Sequence, residues 1–333
     1  MKAITADGLT KFYGKYLAVD HVSFEVDEGE IFGFLGPNGA GKTTTIKMLN
    51  TLTRISEGRA TIGGYDVTSK KNEVRRVIGL VPQDLTLDRD MTGMENLRIQ
   101  ARLYDVPDRV AGDRIMELLK LVELESVAGH EVGTYSWGMQ KRLELIMGLV
   151  NTPKVLFLDE PTLGLDAQSR ASIWSYIMNL NRGSRVTIFL TTHYLEEADE
   201  LCNRIAIISR GKIITEGTPE QLKSRLGEEV VTIRLSRPAN DVGAANTLMA
   251  IPGVTGVEAE GHVCRVQTLD SEKTVAKMVV AVTNLGVAIE SLNVSKASLN
   301  QVFMKTVSSG VGVDEPEDEY RALARERLLK ERT

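Results

Sequence analysis

Gly36-Pro-Asn-Gly-Ala-Gly-Lys-Thr43 decides the fold of this chain. The string fits the spacing G-x-x-x-x-G-K-S/T. It lies between a short apolar run, Ile31-Phe-Gly-Phe-Leu35, and a segment of helical character, Thr44 to Leu52. Strand, glycine-rich loop and helix in that order predict a phosphate cradle. Glycines let the backbone curl so that consecutive N–H groups face inward around a polyphosphate. Gly36, Asn38, Gly39, Ala40 and Gly41 line the loop, and Thr44 follows at the start of a helix whose positive dipole end adds to the field. Lys42 supplies a point charge for the β- and γ-phosphates of a nucleotide, and the Thr43 hydroxyl can ligate Mg²⁺. The alternative, an ordinary glycine turn before a helix, does not call for the lysine and hydroxyl at these positions.

A second stretch completes the chemistry. Val155-Leu-Phe-Leu-Asp159-Glu160 is an apolar strand ending in two acids. Packing accounts for the hydrophobic residues of a buried strand, but not for adjacent carboxylates at its tip. Asp159 is suited to Mg²⁺, as the second acid of phosphate-loop enzymes is. Glu160 is suited to polarise an attacking water as general base. Taken alone, the pair could also be a strand running into a helix cap.

Outward from these two stretches, Ala3 to Val26 alternates β-prone runs with turn residues and predicts a small antiparallel sheet. From about Leu85 to Val150 the pattern is helical, with apolar spacings of three and four in Met94 to Tyr104 and Arg114 to Leu124. Strand-like runs return at Val155 to Leu158, Val186 to Leu190 and Ile205 to Ile208. Strands alternating with helices imply a parallel α/β sheet carrying a helical insertion. Composition shifts near Gly227, and the order strand, helix, strand, strand, helix, strand follows through Val294. That order is compatible with a ferredoxin-like module. The expected organisation is therefore an α/β phosphate-loop core over 1–226, with an antiparallel β subdomain and an insertion at about 85–150. A small α+β C-terminal domain over 227–310 and a charged tail over 311–333 complete it.

The bulk numbers bound the rest. A length of 333 residues favours about two domains. With 42% hydrophobic and 26% charged residues, the chain can bury a sizeable core. A formal net charge of -5 gives no global case for nucleic acid, so no nucleic-acid partner is expected. Cys202 and Cys264 lie far apart and read as reduced, buried thiols of a cytosolic protein. The N-terminal MKAITADGLTKFYG is too polar for a secretory signal. No apolar stretch reaches the roughly 18 residues a membrane span needs. If the protein serves a membrane, another chain must do the spanning.

Further strings give a family resemblance. Tyr135-Ser-Trp-Gly-Met-Gln140, opening the helix Lys141-Arg-Leu-Glu-Leu-Ile-Met, resembles the signature sequence of ABC ATPases. Gln83, in Val81-Pro-Gln-Asp84, resembles that family's Q-loop. Gly164-Leu-Asp166 is similar to its D-loop and Thr191-Thr-His193 to its switch histidine. All stand in family order across roughly Lys2 to Leu222, about two-thirds of the chain. The resemblance implies that Tyr13 stacks on adenine and that Gln83 senses Mg²⁺ and the γ-phosphate. It also implies that His193 touches the γ-phosphate and Asp166 crosses a dimer interface. Ser136 and Gly138 would bind the nucleotide held by a second subunit, in an ATP-dependent homodimer or a heterodimer with a paralogue. Each of these residues also has a plainer role available, in packing, turn chemistry or helix capping. One position departs from the pattern: Trp137 stands where the signature commonly has glycine.

Lys296-Ala-Ser-Leu-Asn-Gln-Val-Phe303 resembles the closing motif of daunorubicin-resistance-type ABC exporter ATPases. The resemblance implies a separately encoded membrane permease, gripped near Gln83, and export of a drug, lipid or similar cargo. The chain would then sit in the cytoplasm, peripheral on the inner face of the membrane. An ABC importer ATPase is the nearer alternative and a soluble non-transport ABC ATPase the further one. A phosphate-loop kinase would need neither signature nor switch histidine.

Overall fold

The computed structural model describes residues 1–224, 229–295 and 298–309. At its centre are five parallel strands, β3 (Ile31–Leu35), β6 (Ile78–Val81), β7 (Val155–Asp159), β8 (Thr187–Thr192) and β9 (Arg204–Ser209). With β10 (Lys212–Gly217) antiparallel at one edge, they are ordered β10-β9-β3-β8-β7-β6. Both faces are covered, so the strands read as continuous apolar runs. Ile31 and Leu35, Leu156 and Leu158, and Ile188 and Leu190 enter the core on one face. Phe32 and Phe34, Phe157, and Phe189 enter the core on the other. Phe189 lies at the middle of an aromatic group with Phe24, Phe32, Phe34 and Phe157, its ring 5.5 to 5.8 Å from theirs.

The N-terminal β1 (Lys2–Tyr13) and β2 (Tyr16–Asp27) form the expected antiparallel hairpin, extended by β4 (Glu57–Ile62) and β5 (Tyr65–Asp66). Helix α1 (Lys42–Leu49) packs between this sheet and the central one. The helical stretch resolves into α3 (Gly93–Leu103), α4 (Asp108–Leu121) and α5 (Trp137–Met147). Between 57 and 81 the structure holds β4, β5, the helix α2 (Lys71–Val77) and β6, none of which the periodicity marks. Four residues of β6 are too few to register a period.

The third sheet, β12-β13-β11-β14, is antiparallel throughout and comprises β11 (Glu229–Leu235), β12 (Val254–Glu260), β13 (Val263–Thr268) and β14 (Ile289–Ser295). Helices α9 (Ala244–Met249) and α10 (Ser271–Asn284) lie on one face and share with it a separate core around Val231, Ile233, Cys264 and Met278. The last helix, α11 (Leu299–Ser309), packs elsewhere. Its Leu299 and Val302 are buried in the main core beside α7 (Leu195–Leu201) and α8 (Pro219–Ser224). Of the closing motif, 296–297 lie outside the described residues, as does the tail 311–333. Cys202 and Cys264 are free and buried.

A close approach between backbones sets β6 against α5. A Cβ on Gly79 of β6 would lie 1.8 Å from the Gly148 carbonyl oxygen, at the end of α5. Gly79→Ala therefore has to displace main chain. We expect urea unfolding to report a loss of about 1–3 kcal/mol or more. Gly112→Ala is the control: it lies within α4 with nothing near the new methyl, and should gain about 0.5–1 kcal/mol.

Candidate active site

Three parallel strands end at one edge of the central sheet, and each delivers part of the site. The loop after β3 carries the glycines. Gly41, with φ of 104°, begins α1 in a left-handed conformation that favours glycine, and a Cβ there would meet the Ala18 carbonyl oxygen at 2.7 Å. No side chain caps α1, so its first N–H groups stay open toward the loop. Lys42 folds back over this loop, its ammonium donating to the carbonyls of Gly36 at 2.7 Å and Pro37 at 3.2 Å.

The tip of β7 supplies the acids. Lys42 Nζ is 3.1 Å from Glu160 Oε1, and both side chains are only 6% exposed. The other carboxylate oxygen of Glu160 pairs with His193 Nδ1 at 2.7 Å, just past the end of β8. Glu160 itself holds φ of 53°, a left-handed conformation uncommon for a residue with a side chain. Its N–H donates to the carbonyl and hydroxyl of Thr191, at 3.1 and 3.2 Å. Such backbone strain costs on the order of 1–3 kcal/mol and persists where surrounding bonds enforce it.

Asp159 is 4% exposed and accepts hydrogen bonds from Thr191 Oγ1 at 2.6 Å and Thr43 Oγ1 at 3.2 Å. Burial pushes its carboxyl above the ordinary carboxylate range, and these two hydroxyls pull it back only in part. A hydroxyl and a carboxylate, both hard oxygens, converge at the mouth of the phosphate loop.

Thus Lys42, Thr43, Asp159, Glu160 and His193, predicted from separate strings, meet in one place. Tyr13 ends β1 at the hairpin tip, 46% exposed, with the Lys11 ammonium 5.0 Å from its ring centre. Gln83 is exposed in the segment leaving β6, whose Val81 lies opposite Leu158 of β7. The remaining predicted residues form a second, exposed patch. Ser136 caps α5 by accepting from the Met139 N–H. Asp166 caps α6 (Ala167–Ser184) through Ser169, whose N–H and hydroxyl hold its pKa low. Gly138 faces that same Ser169. Among the described residues, no hydrogen bond or ion pair joins this patch to the chain's own phosphate loop.

Sequence reasoning missed Thr191 as an anchor of Asp159 and Glu160. Only the strand register, which sets Asp159 opposite Thr191, reveals it. It also missed Glu197, fully buried on α7, which accepts from Thr162 Oγ1 at 2.7 Å and Trp174 Nε1 at 3.0 Å. Thr162 is two residues beyond Glu160, so Glu197 ties the acid-bearing loop to the helix that follows His193.

Comparison with known proteins agrees with this fold. The family model described as ABC transporter matches residues 19–163, and that of the ATP-binding protein DrrA1-3-like C-terminal domain matches 217–307. The daunorubicin resistance ATP-binding protein DrrA3 of Streptomyces coeruleorubidus is 39% identical over 302 residues, covering 91% of this chain and 95% of that one. This chain belongs to the ABC transporter ATP-binding family. Nod factor export ATP-binding protein I of Burkholderia pseudomallei is 45% identical over 67% of this chain and 73% of its own. Among solved structures, the ATP-binding cassette MJ0796, in a dimeric post-hydrolysis state bound to ADP and Pi, aligns with a TM-score of 0.58 at 27% identity. It covers 65% of this chain and 98% of that one. The protein is thus an ABC ATPase.

Thr191→Val keeps the shape of the ATPase core and removes the hydroxyl that serves both acids. In urea unfolding of the nucleotide-free protein we expect a loss of about 1–3 kcal/mol at neutral pH. Asp159 has a raised pKa in the folded state, so its charged form already opposes folding above that pKa. Losing the donor raises the pKa further and adds a penalty only where the carboxyl is ionised. The difference between variant and parent should therefore shrink as pH falls through that range.

Proposed function

We propose that this ABC ATPase powers export through a separately encoded transmembrane permease, with two copies, or one copy and a paralogue, closing on ATP between them. The observation that carries the assignment of residues is the chain Lys42–Glu160–His193, at 3.1 and 2.7 Å beside the phosphate loop. Lys42 is buried and needs an anion. Glu160 is the anion paired with it; the β- and γ-phosphates of ATP take that place over, which frees Glu160 to accept a proton from the attacking water. His193, hydrogen-bonded to Glu160 Oε2, orients that carboxylate and stands ready for the γ-phosphate. Open N–H groups of the loop, those of Asn38, Gly39 and Gly41 through Thr44, bind the remaining phosphate oxygens, and the exposed ring of Tyr13 stacks on adenine.

Thr43 and Asp159 would hold Mg²⁺, with Gln83 approaching from the segment after β6. The ion supplies charge neutralisation across the β- and γ-phosphates. The donor set fits such an ion: a hydroxyl and one carboxylate leave room for water and phosphate oxygens, as magnesium prefers. Among the described residues no group of three acidic, cysteine or histidine side chains forms a metal cage of its own.

The exposed patch of Ser136, Gly138 and Asp166 has no partner within its own chain's phosphate loop, which supports a role toward a second subunit's nucleotide. ATP then bridges two surfaces and hydrolysis removes the bridge. Names of the relatives, drug resistance in one and Nod factor export in another, support export while differing in cargo. Cargo selection accordingly belongs to the permease. No helix among the described residues is long and apolar enough to cross a membrane, so the ATPase would sit on the inner face by holding that permease. We read 1–226 as the ATPase domain and 227–310 as a ferredoxin-like domain, with α11 docking back on the core.

Glu160→Gln should keep ATP affinity while slowing hydrolysis by about 10²–10⁴-fold, the usual worth of a general base. With Mg·ATP the variant should elute as a dimer on size exclusion; parental turnover would remove Glu160 from this role. Lys42→Ala should weaken nucleotide binding by at least about tenfold, equivalent to roughly 1.4 kcal/mol. A calorimetric titration indistinguishable from the parent would contradict the role given to Lys42.

A further inference from the structure

One row of α5 faces the segment that leaves β6. It is built from residues 137, 141 and 144, which helical spacing stacks one above the other. At the exposed end stands Trp137, with 48% of its surface open. One turn on, Lys141 is 2% exposed. Its Nζ lies 5.6 Å from the centre of the Trp137 ring and donates to the backbone carbonyl of Gln83 at 2.9 Å. A further turn on, buried Glu144 accepts from the Thr86 N–H at 3.2 Å and from the Thr86 hydroxyl at 2.6 Å. The row therefore grips the 83–86 segment at two points and ends in an indole at the tip of the helix.

Burial of an ammonium is unfavourable, and it holds Lys141 below the usual lysine range. An apolar residue of similar size would fill the space without that cost, so packing alone does not call for lysine here. What lysine adds is a directed bond from the helix to the Gln83 carbonyl. The indole lies over the ammonium and adds a cation–π contact. At its other end α5 is pressed against β6 through Gly79 and Gly148. Helix, strand and the segment after the strand are thus joined at three points, and a displacement of the helix tip carries the Gln83 backbone with it.

Resting on the ATP-bridged dimer proposed above, we propose that Lys141 is a positioning residue coupling the two nucleotide sites of that dimer. The tip of α5 serves the nucleotide of the second subunit, while Gln83 serves the chain's own. Lys141 is the direct bond between them within one chain, and Trp137 lies over its ammonium.

The test is ATPase rate against ATP concentration for the full chain at saturating Mg²⁺. Two coupled sites in the parent should give a Hill coefficient approaching about 2. Lys141→Met keeps the aliphatic stem and removes the ammonium; its Hill coefficient should fall to about 1, the value for uncoupled sites. ADP affinity, measured by calorimetry, should stay within about twofold, far less than the tenfold of 1.4 kcal/mol. Lys141→Arg should restore the sigmoid curve. Trp137→Ala, an exposed change that does not threaten folding, should lower the coefficient part of the way, which keeps the test in force if Lys141→Met does not fold. Sigmoid kinetics unchanged from the parent in Lys141→Met, or in Trp137→Ala where Met is not tolerated, would overturn the coupling. So would a Lys141→Met that loses ADP affinity and near-ultraviolet circular dichroism together, since Lys141 would then be packing only. A parent that is hyperbolic, with a Glu160→Gln variant that stays monomeric in Mg·ATP, would instead bring down the dimer itself and the coupling with it.

Discussion

Lys42 carries a buried positive charge, and pairing it with an anion organises this molecule. Lys42 and Glu160 are both almost wholly withdrawn from water and lie 3.1 Å apart. Removing either partner leaves an uncompensated buried charge, which costs several kcal/mol. The pair joins the loop after β3 to the tip of β7, with β8 running between the two strands. Parallel strands all present their carboxyl ends at one edge, which is why residues over a hundred positions apart in sequence can satisfy one another there. In the proposed function, nucleotide binding is an exchange of anions around Lys42.

Support for this edge comes from behind it. Thr191 holds Asp159 and the Glu160 backbone at once, and Glu197 fastens Thr162 to the helix following His193. Burial raises the pKa of Asp159 and of Glu197 alike. A positive charge brought to Asp159 would relieve that penalty, in keeping with the Mg²⁺ role proposed for it. The aromatic group around Phe189 fills the sheet's opposite face and fixes the strands whose ends carry the chemistry.

Two connections extend outward from the edge. Through Lys141 and Glu144, α5 grips the segment carrying Gln83, which ties the helical insertion to the segment after β6. Through Leu299 and Val302, α11 returns from the third sheet to pack beside α7, the helix that bears Glu197. The third sheet keeps its own core, and its last helix belongs to the main one.

Much of this was legible in the sequence. The phosphate loop is local chemistry: glycines, a lysine and a hydroxyl within eight consecutive positions, flanked by a strand and a helix. Apolar runs marked β3, β7, β8 and β9 because a strand buried on both faces has no polar alternation to hide it. The βαββαβ order of the third region followed from alternating periods and turn residues. Sequence alone could not supply register or reach. That Thr191 stands opposite Asp159, that Lys141 touches the Gln83 carbonyl, and that β6 abuts α5 at two glycines are contacts between distant segments. Each depends on how the strands pair and how closely the backbones approach, and those are settled by packing, which no local pattern records.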